Sequence, residues 1–230
     1  MKKKWIMLGV LAGAIILAGW LGWTAERKPA GGTFVKVDLA KSFNARLTDT
    51  IHCPDSLRNN DLSELPTGAQ TFAGVPFQVQ GAIQLWGRGL DKYKREGYPK
   101  EVLNVAVGKR CAKFHLLHGA GFYDGDGTPV AKLILHYADR TERDLDLKTG
   151  EHLRDWWGSP SQRMKDSGTA VAWFGQNPYM RKMGPVSEHS IRIYRTTIPN
   201  PNPSSELVSF DYVSLSGNSA PFLLGMTLEE

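Results

Sequence analysis

The chain has 230 residues, 41% of them hydrophobic and 22% charged, which is the composition of an ordinary globular domain. Its formal net charge of +5 and pI near 9.2 invite a nucleic-acid interpretation, but without Lys2, Lys3 and Lys4 the net charge falls to +2. The remaining basic residues are scattered singly among acidic ones, and no basic stripe follows a phosphate backbone. The sequence therefore predicts no nucleic-acid partner.

The first predicted element is a membrane helix. Residues 5–23 carry no charged side chain, and as a helix they would span about 28 Å, close to the ~30 Å hydrocarbon core of a bilayer. Together with the preceding lysines, residues 1–23 are predicted to form a transmembrane signal anchor with a cytoplasmic amino end and an extracytoplasmic carboxyl-terminal domain. The alternative is secretion after signal cleavage, although Trp20 and Trp23 make the candidate cleavage positions poor.

A linker and one β domain are predicted to follow. Residues 24–33 form a polar stretch with proline and glycine, typical of a short spacer, and residues 34–230 are enough for one core of normal size. Short runs rich in valine, isoleucine and aromatic residues recur between turn residues, and no window sustains a helical period over three turns. The pattern predicts an all-β, two-sheet β-sandwich of jelly-roll type. The predicted strands are Phe77–Trp86, Val102–Val107, Lys113–His118, Val130–Tyr137, Glu142–Leu147, Ala170–Phe174, Ser190–Thr197, Leu207–Leu215 and Phe222–Thr227.

Alternation along two of these strands separates a buried face from a wet one. Leu133, Leu135 and Tyr137 occupy every second position, and in residues 144–147 leucine alternates with aspartate. The two aspartates are therefore interpreted as solvent-facing residues and not as a catalytic pair. Residues 138–141 between the two strands are predicted to form a hairpin connection.

The two cysteines of the chain, Cys53 and Cys111, leave two interpretations open. In an oxidising compartment they would pair, and closing a loop of about sixty residues would stabilise the fold by roughly 4 kcal/mol in the chain-entropy model. Cys111 also begins an apolar run, where a buried free thiol is equally typical.

An ordered series of segments resembles a family of extracytoplasmic β-sandwich modules related to galactose-binding-like jelly rolls. The resemblance covers about 190 residues and is specific for the fold more than for activity. It implies a binding role, since such modules often accompany other proteins. The segments are Phe43-Asn44, Asn59 to Leu62, PTGAQTFAGVPFQVQGAIQLWG at 66–87, KFHLLHGAG at 113–121, VAKLILHYADR at 130–140, HLRDWWG at 152–158, VAWFGQN at 171–177 and APFLLGMTLE at 220–229.

Two loop segments carry the chemistry of a sugar site. Sugars present C–H patches to aromatic rings and hydroxyls to planar polar side chains, and both ingredients occur at the ends of predicted strands. In the structural alternative, one of the adjacent tryptophans belongs to the core and Arg154 pairs with Asp155. The candidate ligand-binding residues are Arg154, Asp155, Trp156, Trp157, Trp173, Gln176 and Asn177.

Metal and nucleophile motifs are weak. Residues 124–128 (DGDGT) resemble the start of a calcium loop but lack its later acidic ligands, and a hairpin turn explains them better. Cys111, His115 and His118 are zinc ligands by type, but on one strand they do not share a face. No GxSxG elbow is present. We expect no metal and no cofactor.

These observations predict a membrane-anchored extracytoplasmic binding module with carbohydrate as its ligand. The alternative is a structural or assembly protein of the cell envelope that binds another protein. A hydrolase is the third possibility. A glycosidase needs two carboxylates at a defined separation, and the sequence does not give that distance.

Overall fold

The computed structural model describes residues 32–50, 52, 59–93, 97–158, 163–166 and 168–230. Gly32–Glu230 forms one compact unit. The predicted anchor at residues 5–23 lies outside the described residues and stays a prediction. Within the described ranges, no helix is long and apolar enough to cross a membrane.

Antiparallel strands dominate the described part of the chain, which confirms the all-β prediction. Among the described residues the single α-helix, α1, is Pro178–Met183, and two 3-10 turns cover Ala40–Ser42 and Arg88–Tyr93. The strands are β1 (Phe34–Lys36), β2 (Gly68–Phe72), β3 (Val75–Val79), β4 (Ile83–Gln84), β5 (Glu101–Lys109), β6 (Lys113–Gly121), β7 (Pro129–Tyr137), β8 (Glu142–Lys148), β9 (Trp157–Gly158), β10 (Thr169–Gly175), β11 (Ser190–Pro199), β12 (Leu207–Ser214) and β13 (Ala220–Glu229).

The described strands form two large sheets and one small one. The larger sheet has the order β1-β13-β6-β11-β10, with β4 beside β13 and β9 beside β11. The second sheet has the order β5-β12-β7-β8, and β2 pairs with β3 in a separate hairpin. This arrangement is that of a β-sandwich with an additional hairpin.

Both faces of the larger sheet are covered at β13, which explains why residues 220–228 of this strand are all buried and mostly apolar. Leu223 of β13 belongs to a core cluster shared with Leu133 and Phe210 of the four-stranded sheet. Its neighbour Phe222 belongs to a second cluster that contains Phe77 of the small hairpin. Successive side chains of a strand point to opposite faces, so a strand covered on both faces carries apolar residues at every position.

The structure corrects two predicted elements. The single strand predicted over residues 77–86 is divided, because β3 ends at Val79 and β4 begins at Ile83. Between them, Gly81 approaches the ring of Phe43 so closely that a Cβ would lie 2.9 Å from it. The segment 124–128 is a turn, with Thr128 N donating to Gly125 O at 3.0 Å, but it is no hairpin, since β6 and β7 lie in different sheets.

The connection at residues 138–141 is a hairpin as predicted. Strands β7 and β8 are antiparallel neighbours, and Tyr137 N donates to Thr141 O at 3.0 Å. Arg140 adopts φ +67°, a left-handed conformation suited to such a connection. On these strands the odd-numbered residues from Leu133 to Tyr137 are buried, and Asp144 and Asp146 are exposed.

Candidate functional site

Residues 153–158 lie between β6 and β11 at the end of the larger sheet. Trp156 N donates to Ala120 O at 2.8 Å, and Arg192 N donates to Trp156 O at 2.7 Å. The next residue, Trp157, opens β9 and pairs with Ile191 of β11. Because the backbone is extended and bonded on both sides, alternate side chains of this segment face opposite directions.

Arg154 is engaged inside the protein. Its guanidinium forms two bonds with the Asp126 carboxylate, Nη1 to Oδ1 at 2.7 Å and Nη2 to Oδ2 at 3.0 Å. Lys165 Nζ adds a third contact at 3.1 Å, and these hydrogen bonds lower the pKa of Asp126 to about 2. Arg154 therefore pairs with Asp126 of the DGDGT turn and not with Asp155, the partner in the structural alternative. This bidentate pair fixes the turn and occupies both Nη atoms of Arg154, while the buried Nε has no partner among the described residues.

The two adjacent tryptophans differ in environment. Trp156 is 2% exposed and packs edge-on against Phe222, with ring centroids 6.3 Å apart. Trp157 is half-buried: its Nε1 donates to Asn60 Oδ1 at 3.2 Å, and its ring stacks on Tyr179 at 5.6 Å. One indole belongs to the core, and its neighbour presents part of its face to solvent.

The second candidate segment, residues 173–177, supports local structure. Trp173 is half-buried on β10. Gln176 Nε2 donates to the carbonyl oxygens of Gly184 at 2.9 Å and His189 at 2.7 Å. Gln176, which the sequence predicts to bind a sugar, therefore positions the segment between α1 and β11.

Asn177 is fully buried and caps α1. Its Oδ1 accepts from Met180 N at 2.8 Å, and Pro178 occupies the first helical turn. Its Nδ2 donates to Asn60 Oδ1 at 3.1 Å and to Asp61 O at 3.0 Å. Its side chain is satisfied and has no solvent-facing surface for a ligand.

A small pocket with mostly aromatic walls lies beside residues 155–157. Its volume is about 140 Å³, which is close to a cavity known to hold one benzene ring and well below the range of drug-sized sites. It therefore has room for one six-membered ring. Its lining residues are His52, Tyr93, Phe122, Asp155, Trp156 and Trp157.

The walls of this aromatic pocket are fixed by backbone geometry. Phe122 adopts φ +64°, a left-handed conformation that is a true outlier for a bulky side chain. Its ring stacks on Tyr93 with centroids 5.7 Å apart and planes 13° from parallel. A Cβ at Gly89 would overlap the Phe122 ring, and one at Gly121 would overlap His52. Strained residues of this kind concentrate at functional sites, which makes the pocket the leading candidate.

Asp155 supplies the only formally charged side chain among the described residues that line the pocket. Its Oδ1 accepts from Trp157 N at 3.0 Å, and no donor from the described residues reaches Oδ2. Burial raises the pKa of Asp155 to about 6, against the opposing effects of the Trp157 hydrogen bond and the charge of Arg192. The carboxyl is surrounded by protein yet keeps partial contact with solvent through the pocket.

The pocket unites part of the predicted set with residues that the sequence did not indicate. Asp155, Trp156 and Trp157 line it, whereas Arg154, Trp173, Gln176 and Asn177 do not. His52, Tyr93 and Phe122 come from three distant segments. The one local signal was an aromatic pair, Phe122-Tyr123, that directly follows a glycine at the end of a strand.

The histidines of β6 make contacts within the protein. His115 contacts Thr197 Oγ1 at 2.9 Å and Glu229 Oε2 at 3.1 Å, and His118 Nε2 contacts Thr196 Oγ1 at 2.8 Å. Across the residues that the structure describes, no group of three or more histidine, cysteine, aspartate or glutamate side chains is arranged to hold a metal ion.

Cys111 is buried, and burial raises the pKa of its thiol to about 11. Asn200 Nδ2 donates to its backbone oxygen at 2.8 Å and lies 3.5 Å from its Sγ. Cys53, the other half of the possible disulfide, lies outside the described residues, so the pairing stays a prediction.

A larger cleft of about 400 Å³ lies between β1 and β5 and differs in chemistry from the aromatic pocket. Lys36, Lys41 and Lys109 line it together with Asp38, and no aromatic residue contributes to it. Asp38 already accepts from Ala40 N at 3.0 Å. Long, flexible lysines do not preorganise a site, so the cleft is a weaker candidate despite its size.

Comparison of the chain with protein-family models, with curated proteins and with solved structures finds no significant match. The function is therefore inferred from the geometry of the site.

Proposed function

We propose that this protein is an extracytoplasmic carbohydrate-binding module of the galactose-binding-like jelly-roll type, held at the membrane by residues 5–23. The observation that carries the proposal is the aromatic pocket: a ring-sized space with aromatic walls and one carboxylate oxygen that no donor of the described residues reaches. Aromatic faces pack against the C–H patches of a pyranose, and a carboxylate accepts from its hydroxyls. The membrane location rests on the uncharged run and its flanking lysines.

The pocket suits a single sugar residue at the end of a chain or branch. Its volume accommodates a group the size of benzene, which corresponds to one edge of a pyranose, and Tyr93, 37% exposed, offers further aromatic surface. Binding through one ring and one polar anchor predicts weak affinity for a free monosaccharide, so clustered ligands are the appropriate probe.

An array of immobilised glycans tests the proposal with the full chain in detergent. We expect wild type to be retained on at least one glycan class and Tyr93→Ala to lose that retention, because the exposed ring contributes to the ligand more than to the core. Phe174→Ala is the matched control, since Phe174 is an exposed aromatic, 54% accessible, outside the pocket. Failure of wild type to bind any glycan, or equal binding by Tyr93→Ala, would overturn the proposal.

A second candidate function is contact with an envelope protein. It is favoured by the β10 side of the larger sheet. β10 ends the order of described strands, and Phe174 on it is exposed next to the helix that carries Met183, 52% exposed. An edge strand with exposed apolar side chains can accept a strand from a partner. Loss of a co-purified envelope partner in Phe174→Lys, with glycan retention intact, would establish this role for β10.

A further inference from the structure

The carboxylate in the aromatic pocket forms no direct ion pair with any residue that the structure describes. Asp155 is the charged residue of the lining, and within the described ranges no arginine or lysine nitrogen lies within 4.0 Å of its carboxylate. The neighbouring Arg154 directs its guanidinium to Asp126. Arg192 directs Nη2 to the backbone oxygens of Asp155 at 3.1 Å and Trp157 at 3.2 Å. Its charge lowers the Asp155 pKa, but the guanidinium forms no ion pair with the carboxylate.

An enclosed carboxylate without a counter-ion destabilises the fold. Transfer of a charge away from water is unfavourable unless the charge is paired, and burial is the largest influence on the Asp155 pKa. The backbone needs only Oδ1, which accepts from Trp157 N, and an asparagine would provide the same acceptor. The ionised form is therefore not needed for this hydrogen bond, although its charge favours the charged form of the buried Arg192.

The remaining walls favour a cation. The rings of Tyr93, Phe122 and Trp157 surround the same small space, and aromatic faces attract an ammonium group through their quadrupoles. Attraction by several rings combined with a nearby carboxylate is the arrangement that recognises ammonium groups in water-poor sites. A neutral hydroxyl group would gain from the carboxylate alone.

We propose that the aromatic pocket binds a protonated amine carried by a pyranose ring, with Asp155 as its counter-ion and the aromatic rings as the cage around it. The inference rests on the proposed glycan-binding function and narrows its ligand class to sugars with a free amino group. An acetylated amine is neutral and larger, so it satisfies neither the charge nor the volume of the pocket.

Two probes that differ only at the amine test this inference by calorimetry at pH 7 with the full chain in detergent. They are the β-1,4-linked tetramer of glucosamine and the same tetramer fully N-acetylated. We expect the amine form to bind about tenfold tighter or more, as a charge-assisted contact to a partly buried carboxylate implies. Asp155→Asn should remove that preference while retaining the fold, and Asp146→Asn, on the exposed face of β8, should leave it unchanged.

The outcomes separate the two proposals. Equal affinity for both tetramers, or an amine preference that survives in Asp155→Asn, would overturn the cation inference and leave glycan binding intact. Absence of binding by both tetramers, together with an empty glycan array, would overturn the proposed function itself. If circular dichroism shows that Asp155→Asn is unfolded, Asp155→Glu provides the second variant, because it keeps the charge and lengthens the side chain by one carbon. Weakened binding of the amine tetramer by Asp155→Glu supports the inference. Unchanged binding of both tetramers contradicts it.

Discussion

The segments 153–158 and 173–177 have similar composition and lie along the same strand, β11, yet only 153–158 contributes residues to the aromatic pocket. In 173–177, the amides of Gln176 and Asn177 bond to backbone groups around α1. In 153–158, Asp155 keeps one carboxylate oxygen that no donor of the described residues reaches, beside an indole that is only half-buried. A tryptophan next to planar polar residues therefore does not by itself indicate a sugar site. What distinguishes the two segments is whether the polar atoms already have partners within the fold.

The largest expected effect concerns the core member of the first segment. Trp156→Ala should lower the free energy of unfolding by about 3–5 kcal/mol, because it opens a cavity in a packed aromatic cluster. Trp173→Ala, at a half-buried position, should cost clearly less. Urea denaturation of the two variants measures the difference, and equal losses would contradict the division into a core indole and a surface indole.

The next effect has the opposite sign. Asp155→Asn should raise the free energy of unfolding at pH 7 by about 1–3 kcal/mol, because the folded state raises the pKa of this carboxyl to about 6. The folded state binds the proton on Asp155 more tightly than the unfolded state, so the contribution of this carboxyl to stability is greatest below about pH 4 and declines as pH rises to about 6. The variant lacks this decline.

Urea midpoints from pH 4 to 8 measure that difference profile. His52, Tyr93, Arg192 and Tyr194, which lie around Asp155, are retained in the variant, so the difference isolates the carboxyl. A wild-type profile parallel to that of Asp155→Asn would show that the carboxyl does not titrate differently in the fold.

A smaller loss is expected in the second segment. Asn177→Ala should cost about 1–2 kcal/mol, because it removes the cap of α1 and the bonds to Asn60 and Asp61. Asn177→Ser, which keeps a capping acceptor, should recover part of this loss. Glycan retention should persist in both folded variants. Its loss in a variant that stays folded would show that residues 173–177 belong to the binding site.

Much of the fold could be predicted from the sequence because its strands carry a local signal. Apolar and polar residues alternate in β7 and β8 because one face of these strands is exposed to solvent, and residues 138–141 form the expected hairpin. Helix α1 was missed because six residues show no helical period. The division between β3 and β4 was missed because the contact of Gly81 with Phe43 depends on tertiary structure.

The site could be predicted only in part, for a physical reason. Residues 155–157 stood out by composition, but Tyr93 and Phe122 reach the same pocket from other segments by way of sheet topology. Conversely, Arg154 was assigned to the site on chemistry alone, and its partner, Asp126, lies in a turn that links the two sheets. Whether a polar group is engaged is decided by partners distant in sequence, and no local pattern reports it.

The most direct test of the account follows the indole Nε1–H signals of the full chain by ¹H–¹⁵N spectroscopy during titration with the glucosamine tetramer. Trp157→Phe and Trp173→Phe variants assign the two signals. We expect the Trp157 signal to shift in a saturable manner, because its ring is part of the pocket wall, while the Trp173 signal stays in place. Saturable movement of Trp173 with an unmoved Trp157 would contradict the central claim that the aromatic pocket is the binding site.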